Sequence, residues 1–411
     1  MNLSVRVHPS KSICMAVSIS LLQLITNAFG SDWSTWLGPH EDNTTKSANG
    51  FETDLSKWTV AWKTEVGRGY STITTHGNRA FTKGHDEASH EAVYCFDIES
   101  GQTIWRHSYE AALMPRAHGG GPNASVVIDE DRVYATSKDG QLHCLRVDSG
   151  EVVWRVDLPN ALGMDVPSWG FGSSPIIYGD QLILGAGRII SFDKMTGKIN
   201  WVSETERRAS YGTPVIFTYN HEDFIAAMHG NGFFIVKANS GEEVTEKRIT
   251  TKSNVVSNTP FVFEGGERIF IHTNAFSEVL RFDGTDIEIE WIDRKLQNSQ
   301  TAAVMVGGVL YGLNGLPEND RTRIYARNPN TGEAYWSIPD FGFGSLIAVD
   351  ETLLILTDHG ELVTATANQE SYQEISRRMI LEPTCWTKPI YANGRIFARN
   401  DAGQVICLVQ D

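Results

Sequence analysis

Five tryptophans, Trp105, Trp154, Trp201, Trp291 and Trp336, recur at intervals of 49, 47, 90 and 45 residues. The interval of 90 is two periods, with Thr245 at the middle position. Four residues before most of them stands a glycine: Gly101, Gly150, Gly197, Gly332, and Gly241 ahead of Thr245. The repeated unit reads VYCFDIESGQTIWR at 93–106, LHCLRVDSGEVVWR at 142–155, ISFDKMTGKINW at 190–201 and IYARNPNTGEAYW at 324–336. A period of about 45 residues with strand–turn–strand content is the signature of a β-propeller blade. One such unit cannot bury its own apolar faces, so the blades must stack on one another.

The repeat counts out a ring. Blades are expected at about 70–109, 123–158, 173–203, 213–250, 259–294, 301–338 and 345–380, each of four antiparallel strands, A innermost and D outermost. An eighth starts near Lys388 and stops one strand short, at Asp411. The segment WTVAWKTEV, 58–66, places Trp62 in the outer-strand slot with no blade before it. The expected fold is therefore all-β, an eight-bladed propeller whose last blade is closed by the N-terminal strand 58–66. Closure removes two edges that would otherwise pair with other chains. Glycines fit the hairpins: Gly140, Gly232, Gly360 and Gly403 between strands B and C, and the five repeat glycines between C and D, where tight turns want positive φ. Blade 5 keeps Asp283 and Trp291 but has Ile287 where glycine belongs, and blade 7 has no tryptophan.

Residues 1–30 read as an export signal, with Arg6 and Lys11 ahead of an apolar stretch, Ile13–Ile25, too short to span a bilayer. Ala28-Phe29-Gly30 offers small residues for cleavage. No later stretch has the length of a membrane helix, so no membrane anchor is expected, and the mature protein is read as a periplasmic or extracellular monomer. Residues 31–57 carry no strand signal; they are read as an extended lead laid over the propeller and pinned by Trp33 and Trp36. The propeller proper is 58–411. Without the signal the chain has 33 Lys and Arg against 50 Asp and Glu. That excess of acid disfavours nucleic acid, whose binding depends on phosphate neutralisation.

Four cysteines remain after the signal: Cys95, Cys144, Cys385 and Cys407. Cys95, Cys144 and Cys407 fill one slot of the repeat, occupied by Ser191 and Ala326 in other blades. Equivalent positions in facing sheets lie about 10 Å apart, beyond the roughly 7 Å that a disulfide tolerates. Unlinked thiols between blades are expected.

The unit small-x-Asp-x-x-(Ser/Thr)-Gly-x-x-x-Trp resembles the repeat of pyrroloquinoline quinone (PQQ)-type propellers. Cys95, Asp97, Ser100, Gly101 and Trp105 match it, as do Ser191, Asp193, Thr196, Gly197 and Trp201. The segments DWSTWLGP, GYST at 69–72, WGFGSSP at 169–175 and CWTKPIYANGRIFARN at 385–400 resemble a bacterial group of exported PQQ-like proteins. The resemblance covers about 31–411. It implies that each indole wedges between blades over a neighbouring glycine turn, giving structural roles to Asp97, Gly101, Trp105, Gly150, Trp154, Asp193, Gly197, Trp201, Trp291, Gly332 and Trp336. It also implies where chemistry would sit. Quinoprotein dehydrogenases of this fold hold PQQ on the propeller axis between an adjacent-cysteine disulfide and a tryptophan, with calcium bound by Glu, Asn and Asp. Here no two cysteines are adjacent and no calcium set maps residue by residue, so no metal ligand and no catalytic residue is assigned.

Loops on a rigid scaffold carry binding. The loops from strand D to the next strand A present Tyr70, Arg116, His118, Asn123, Trp169, Phe171, Tyr211, Asn258, Asn298, Phe343, Trp386 and Lys388. They form the candidate axial site for a protein or small-molecule partner, or for a cofactor, with Lys388 the expected anion or carbonyl contact; the alternative is that these rings only plug the channel. Three functional readings stay open: a binding or scaffold module without catalysis, a PQQ-dependent alcohol-type dehydrogenase using calcium, and an envelope protein like the propeller of the outer-membrane assembly machine.

Overall fold

The structure is a computed structural model that describes residues 31–116, 118–251, 256–298, 301–315 and 322–411; the expected export signal lies outside the described residues. Eight antiparallel sheets follow one another around a ring, each with its strands in the order A-B-C-D. Blade 1 runs Thr74–His76, Arg79–His85, His90–Asp97 and Thr103–Glu110. Blade 8 is Ile390–Ala392, Arg395–Arg399 and Gln404–Gln410, completed by Trp58–Glu65 as its strand D. The expected closure is therefore present: Trp62 pairs with Cys407 and Glu65 with Gln404.

The register explains the repeat. In five blades a small residue stands opposite the tryptophan across the C–D pair: Cys95 with Trp105, Cys144 with Trp154, Ser191 with Trp201, Ala326 with Trp336 and Cys407 with Trp62. A bulge falls at this point in all eight blades. An extra residue on strand D bends it and tips the indole toward the next blade. A Cβ added to Gly101, Gly150, Gly197, Gly241 or Gly332 would lie within 2.7 Å of the preceding blade's tryptophan ring. These glycines also sit at φ between +69° and +75°, so both close approach and backbone exclude a side chain. Asp97 and Asp193 fix the turn, each accepting from the backbone N–H and the hydroxyl of Ser100 or Thr196.

One turn reading needs correction. Gly232 does not take a positive φ, unlike Gly140, Gly360 and Gly403. It is needed for space, because a Cβ there would meet the Lys247 carbonyl oxygen at 2.3 Å. In blade 4, Thr245 occupies the tryptophan slot and its hydroxyl reaches across to the Asp286 carboxylate at 2.9 Å.

The lead differs most from expectation. It does not lie over the propeller but enters its centre. The Trp33 carbonyl accepts from Thr75 N–H in blade 1, and the Ser34 carbonyl from Ile128 N–H in blade 2. Thr44–Thr45 forms a short parallel strand on the innermost strand of blade 7, Gly344–Val349. Trp36 spans the channel: its indole N–H donates to Thr259 in blade 5 at 3.2 Å, and its carbonyl accepts from Lys388 in blade 8. Trp33 and Asn43 are fully buried. Parallel pairing and side chains that bond only after folding leave no alternating pattern, so residues 31–57 carry no strand signal.

From the centre the lead runs outward between blades 7 and 8. The Thr53 carbonyl accepts from Thr364 of strand C at 2.6 Å, and Leu55 N–H donates to Ser376 of strand D at 3.1 Å. Ser376 is opposite Thr364, where other blades carry their tryptophan. Blade 7, which like blade 4 lacks the tryptophan, thus borders blade 8, which has no C–D hairpin, and buried Leu55 and Trp58 pack at that junction.

Cys95, Cys144, Cys385 and Cys407 are free and buried. Burial pushes each thiol up to about 12. No helix among the described residues is long and apolar enough to cross a membrane.

Candidate functional site

The strand-D-to-A loops and the B–C turns open on one face of the ring, and the lead closes the channel from the other side. The axial residues divide into three groups. Tyr70, His118, Trp386 and Phe343 come together where blades 7, 8 and 1 meet. Tyr70 stacks on Trp386 at 5.9 Å, the His118 ring meets Tyr70 edge-on at 4.9 Å, and Phe343 meets Trp386 edge-on at 6.2 Å. Trp169 and Tyr211 form a second pair on the far side of blade 3, 5.8 Å apart, with Tyr211 hydroxyl accepting from Trp169 N–H. Arg116 is exposed beside them and Asn123 is half-buried. Phe171 is buried against the Gly140 turn.

The third group is spent on structure. Asn258 donates to the Asn298 carbonyl at 2.6 Å, and Asn298 donates to the Leu313 carbonyl at 2.7 Å; both are buried in the wall of blades 5 and 6. Lys388 does not offer its ammonium to the open face. It donates to the Trp36 carbonyl and to Asn43, and lies 3.8 Å from the Trp36 ring centroid. Burial holds its amine well below the usual lysine range. The sequence placed Lys388 correctly at the start of its blade but could not reveal that the lead would arrive there first.

One group escaped the sequence reading. Asp401, in the B–C turn of blade 8, is 7% exposed and sits behind the Tyr70–Trp386 pair. Its Oδ1 accepts from Trp386 N–H at 3.3 Å. Burial pushes its carboxyl up to about 7, against the pull of that hydrogen bond and of Arg399 and Arg68. Arg399 is fully buried and donates to the carbonyls of Ser71, Lys83 and Gly67. Burial and nearby Lys138 hold the His118 ring down, at about 4. An Asp-Ala-Gly turn has no sequence mark that separates it from any other hairpin, so only packing identifies this carboxyl.

The histidines and acids of the first B–C loop are used locally. Asp86 accepts from the backbone of Ala88, Ser89 and His90, and Glu87 pairs with Arg68 at 3.2 Å. Among the described residues no three His, Cys, Asp or Glu converge as a metal site.

The face is therefore a shallow aromatic surface with arginines at its margin, floored by the chain's own lead. Such a surface offers rigid rings and guanidinium groups, the residue types that dominate protein interfaces.

Comparison with known proteins agrees with the ring. A family model described as outer membrane protein assembly factor BamB matches residues 89–338, more than half of the chain. No curated protein matches in sequence. Among solved structures, a europium-containing methanol dehydrogenase superposes with a TM-score of 0.73 at 10% identity, covering 92% of this chain and 98% of its own. A quinohemoprotein alcohol dehydrogenase from Comamonas testosteroni gives 0.70 at 13% identity, covering 92% and 80%. BamB from Moraxella catarrhalis gives 0.62 at 16% identity, covering 86% and 97%. At these identities the likeness is one of fold.

Proposed function

We propose a docking role for this chain, which belongs to the family described as outer membrane protein assembly factor BamB. In this reading it is an exported envelope protein that holds a partner from the outer-membrane assembly machinery on its strand-D-to-A face, without catalysis. The observation that carries it is the occupied centre. Trp33, Leu37 and Asn43 are buried within the ring, and Lys388 is tied to the lead. A quinone–calcium centre on the axis needs a flat cavity and a convergent set of oxygen ligands. Three features weigh against that group: the lead occupies the centre of the ring, the four described cysteines are single and buried, and no three His, Cys, Asp or Glu converge among the described residues. What stays accessible is the aromatic and arginine surface around Tyr70, Trp386, Trp169, Tyr211 and Arg116.

The test is site-specific photocrosslinking in envelopes. A crosslinker at Arg116 or Tyr211 is expected to capture a component of the outer-membrane assembly complex, and one at Lys198, in a C–D turn on the opposite face, is not. Capture only from Lys198 overturns the assignment.

A second reading, a PQQ-dependent oxidoreductase, is favoured by one observation: a buried carboxyl titrating near neutrality behind two aromatic rings, the environment expected of a functional acid or base. Adding PQQ and calcium to the purified protein tests it. A bound chromophore with dye-linked alcohol oxidation supports the enzyme and counts against the docking role.

A further inference from the structure

A groove with room of about 390 Å³ opens on the flank of the ring where blade 1 meets blade 2. His107, Tyr109 and Glu110 line it from blade 1, and Gln141, His143 and Arg155 from blade 2. His107 lies on strand D of blade 1, Thr103–Glu110, and His143 on strand C of blade 2, Gln141–Arg146. Neither imidazole belongs to the repeat: blade 2 has Val156 where blade 1 has His107, and blade 1 has Tyr94 where blade 2 has His143. The two rings meet across the blade boundary, with His107 Nε2 3.3 Å from His143 Nδ1 and the ring planes at 63°. Tyr109 holds His143 in place. Its ring stacks on the imidazole at 4.3 Å, and its hydroxyl donates to the Glu91 carboxylate at 3.1 Å.

We propose that His107 and His143 form a two-histidine zinc site that bridges blades 1 and 2, with water from the groove completing the coordination shell. The separation of the nitrogens selects the metal. Zinc with Zn–N bonds of about 2.0–2.1 Å in a tetrahedron puts two ligand nitrogens about 3.3–3.4 Å apart. A square-planar cupric ion, with its ligands at right angles, would want about 2.9 Å. The 3.3 Å observed matches the first.

Zinc needs a neutral imidazole with a free lone pair. Burial holds both rings below the ordinary histidine value, so both are uncharged at neutral pH. When zinc enters, the proton shared between the two facing nitrogens moves to the far nitrogen of its own ring, and both lone pairs turn to the metal. Arg155 works against a cation here, but its side chain is exposed, where solvent and salt screen it. Glu110, in the same groove, carries the opposite charge. Strong zinc sites brace each imidazole through its second nitrogen, and His143 Nε2 has no such partner. No third His, Cys, Asp or Glu joins the pair among the described residues. The affinity is therefore expected to be micromolar, weaker than that of a structural zinc site.

The experiment is a calorimetric titration of the purified, chelator-treated chain with Zn²⁺ alone. One site per chain is expected. It should be lost in His107→Gln and in His143→Gln and kept in His90→Gln, which removes the exposed imidazole beside Asp86 in the first B–C loop. His107 is only half-buried, so His107→Gln is the variant expected to fold normally, and its Tm without metal checks that. Because the site exists only when the two blades are packed, Zn²⁺ should raise the Tm of the wild-type protein and not that of His107→Gln. No zinc site in the wild-type protein, a site that survives in His107→Gln or is lost in His90→Gln, or a wild-type Tm unmoved by saturating Zn²⁺ overturns the proposal. None of these outcomes bears on the docking role, which concerns the strand-D-to-A face.

Discussion

At the scale of single residues, neighbours decide what a lysine or a glycine does. Lys388 has its ammonium bonded to the lead. Lys138, in the B–C turn of blade 2, is also fully buried, but its Nζ has no hydrogen-bond partner. Burial lowers its amine to about 8. An unpaired buried charge is costly, so Lys138→Met is expected to raise Tm at pH near neutrality. The folded-state value lies below the unfolded one, so the folded protein binds fewer protons and the wild type gains stability as pH climbs from about 8 toward the ordinary lysine range. The Lys138→Met advantage should therefore shrink over that window, which melting curves at several pH values would check. For the glycines, Gly150→Ala meets the Trp105 ring at 2.5 Å and a φ of +72°. It should cost about 2–4 kcal/mol, combining backbone strain with a core clash. Gly179→Ala, at φ +55° with open space around it, should cost about 1 kcal/mol. Urea midpoints of the two variants test the difference.

At the scale of elements, two devices join the blades. One is the indole wedge. Trp105 is buried against Phe81, and its N–H donates to the Val147 carbonyl of blade 2 at 3.0 Å. Trp105→Ala is expected to cost about 3–5 kcal/mol, the range for truncating a large buried aromatic, measured by denaturant unfolding. The other device is the lead, which bonds to blades 1, 2, 5, 7 and 8 in turn. Deleting 31–57 should lower the whole unfolding transition in a single step, because those bonds reach across the ring. A separate low-temperature transition confined to blade 8 would contradict this, and calorimetry distinguishes the two.

At the scale of the whole molecule, stability comes from closure and packing without covalent staples among the described residues. All four described cysteines are buried singly. Reducing agent should leave Tm unchanged, and non-reducing mass mapping should find Cys95, Cys144 and Cys407 unlinked. The ring also sets the division of labour between its faces. Most C–D turns repeat nearly unchanged because they receive the indole of the preceding blade, as Gly101, Gly150, Gly197, Gly241 and Gly332 do. The strand-D-to-A loops carry no such duty, and there the chain varies its aromatic and charged residues.

The ring is written in the repeat. A period near 45 residues, a tryptophan and a glycine at fixed spacing, and an outer strand stranded ahead of the first blade specified eight blades and their closure. Such features are legible because each blade solves the same local packing problem with the same residues. The repeat also indicates which loops meet at the axial face, and Tyr70, His118, Trp386 and Phe343 do converge there. What those loops can do depends on packing between distant segments. The lead fills the channel, Lys388 is consumed by it, and Asn258 and Asn298 brace a wall. Asp401 acquires its raised carboxyl from burial between blades 7, 8 and 1. These outcomes depend on contacts between different blades or with the lead, some across more than 300 residues, such as Trp36 with Lys388. A once-only contact at that separation leaves no period in the sequence.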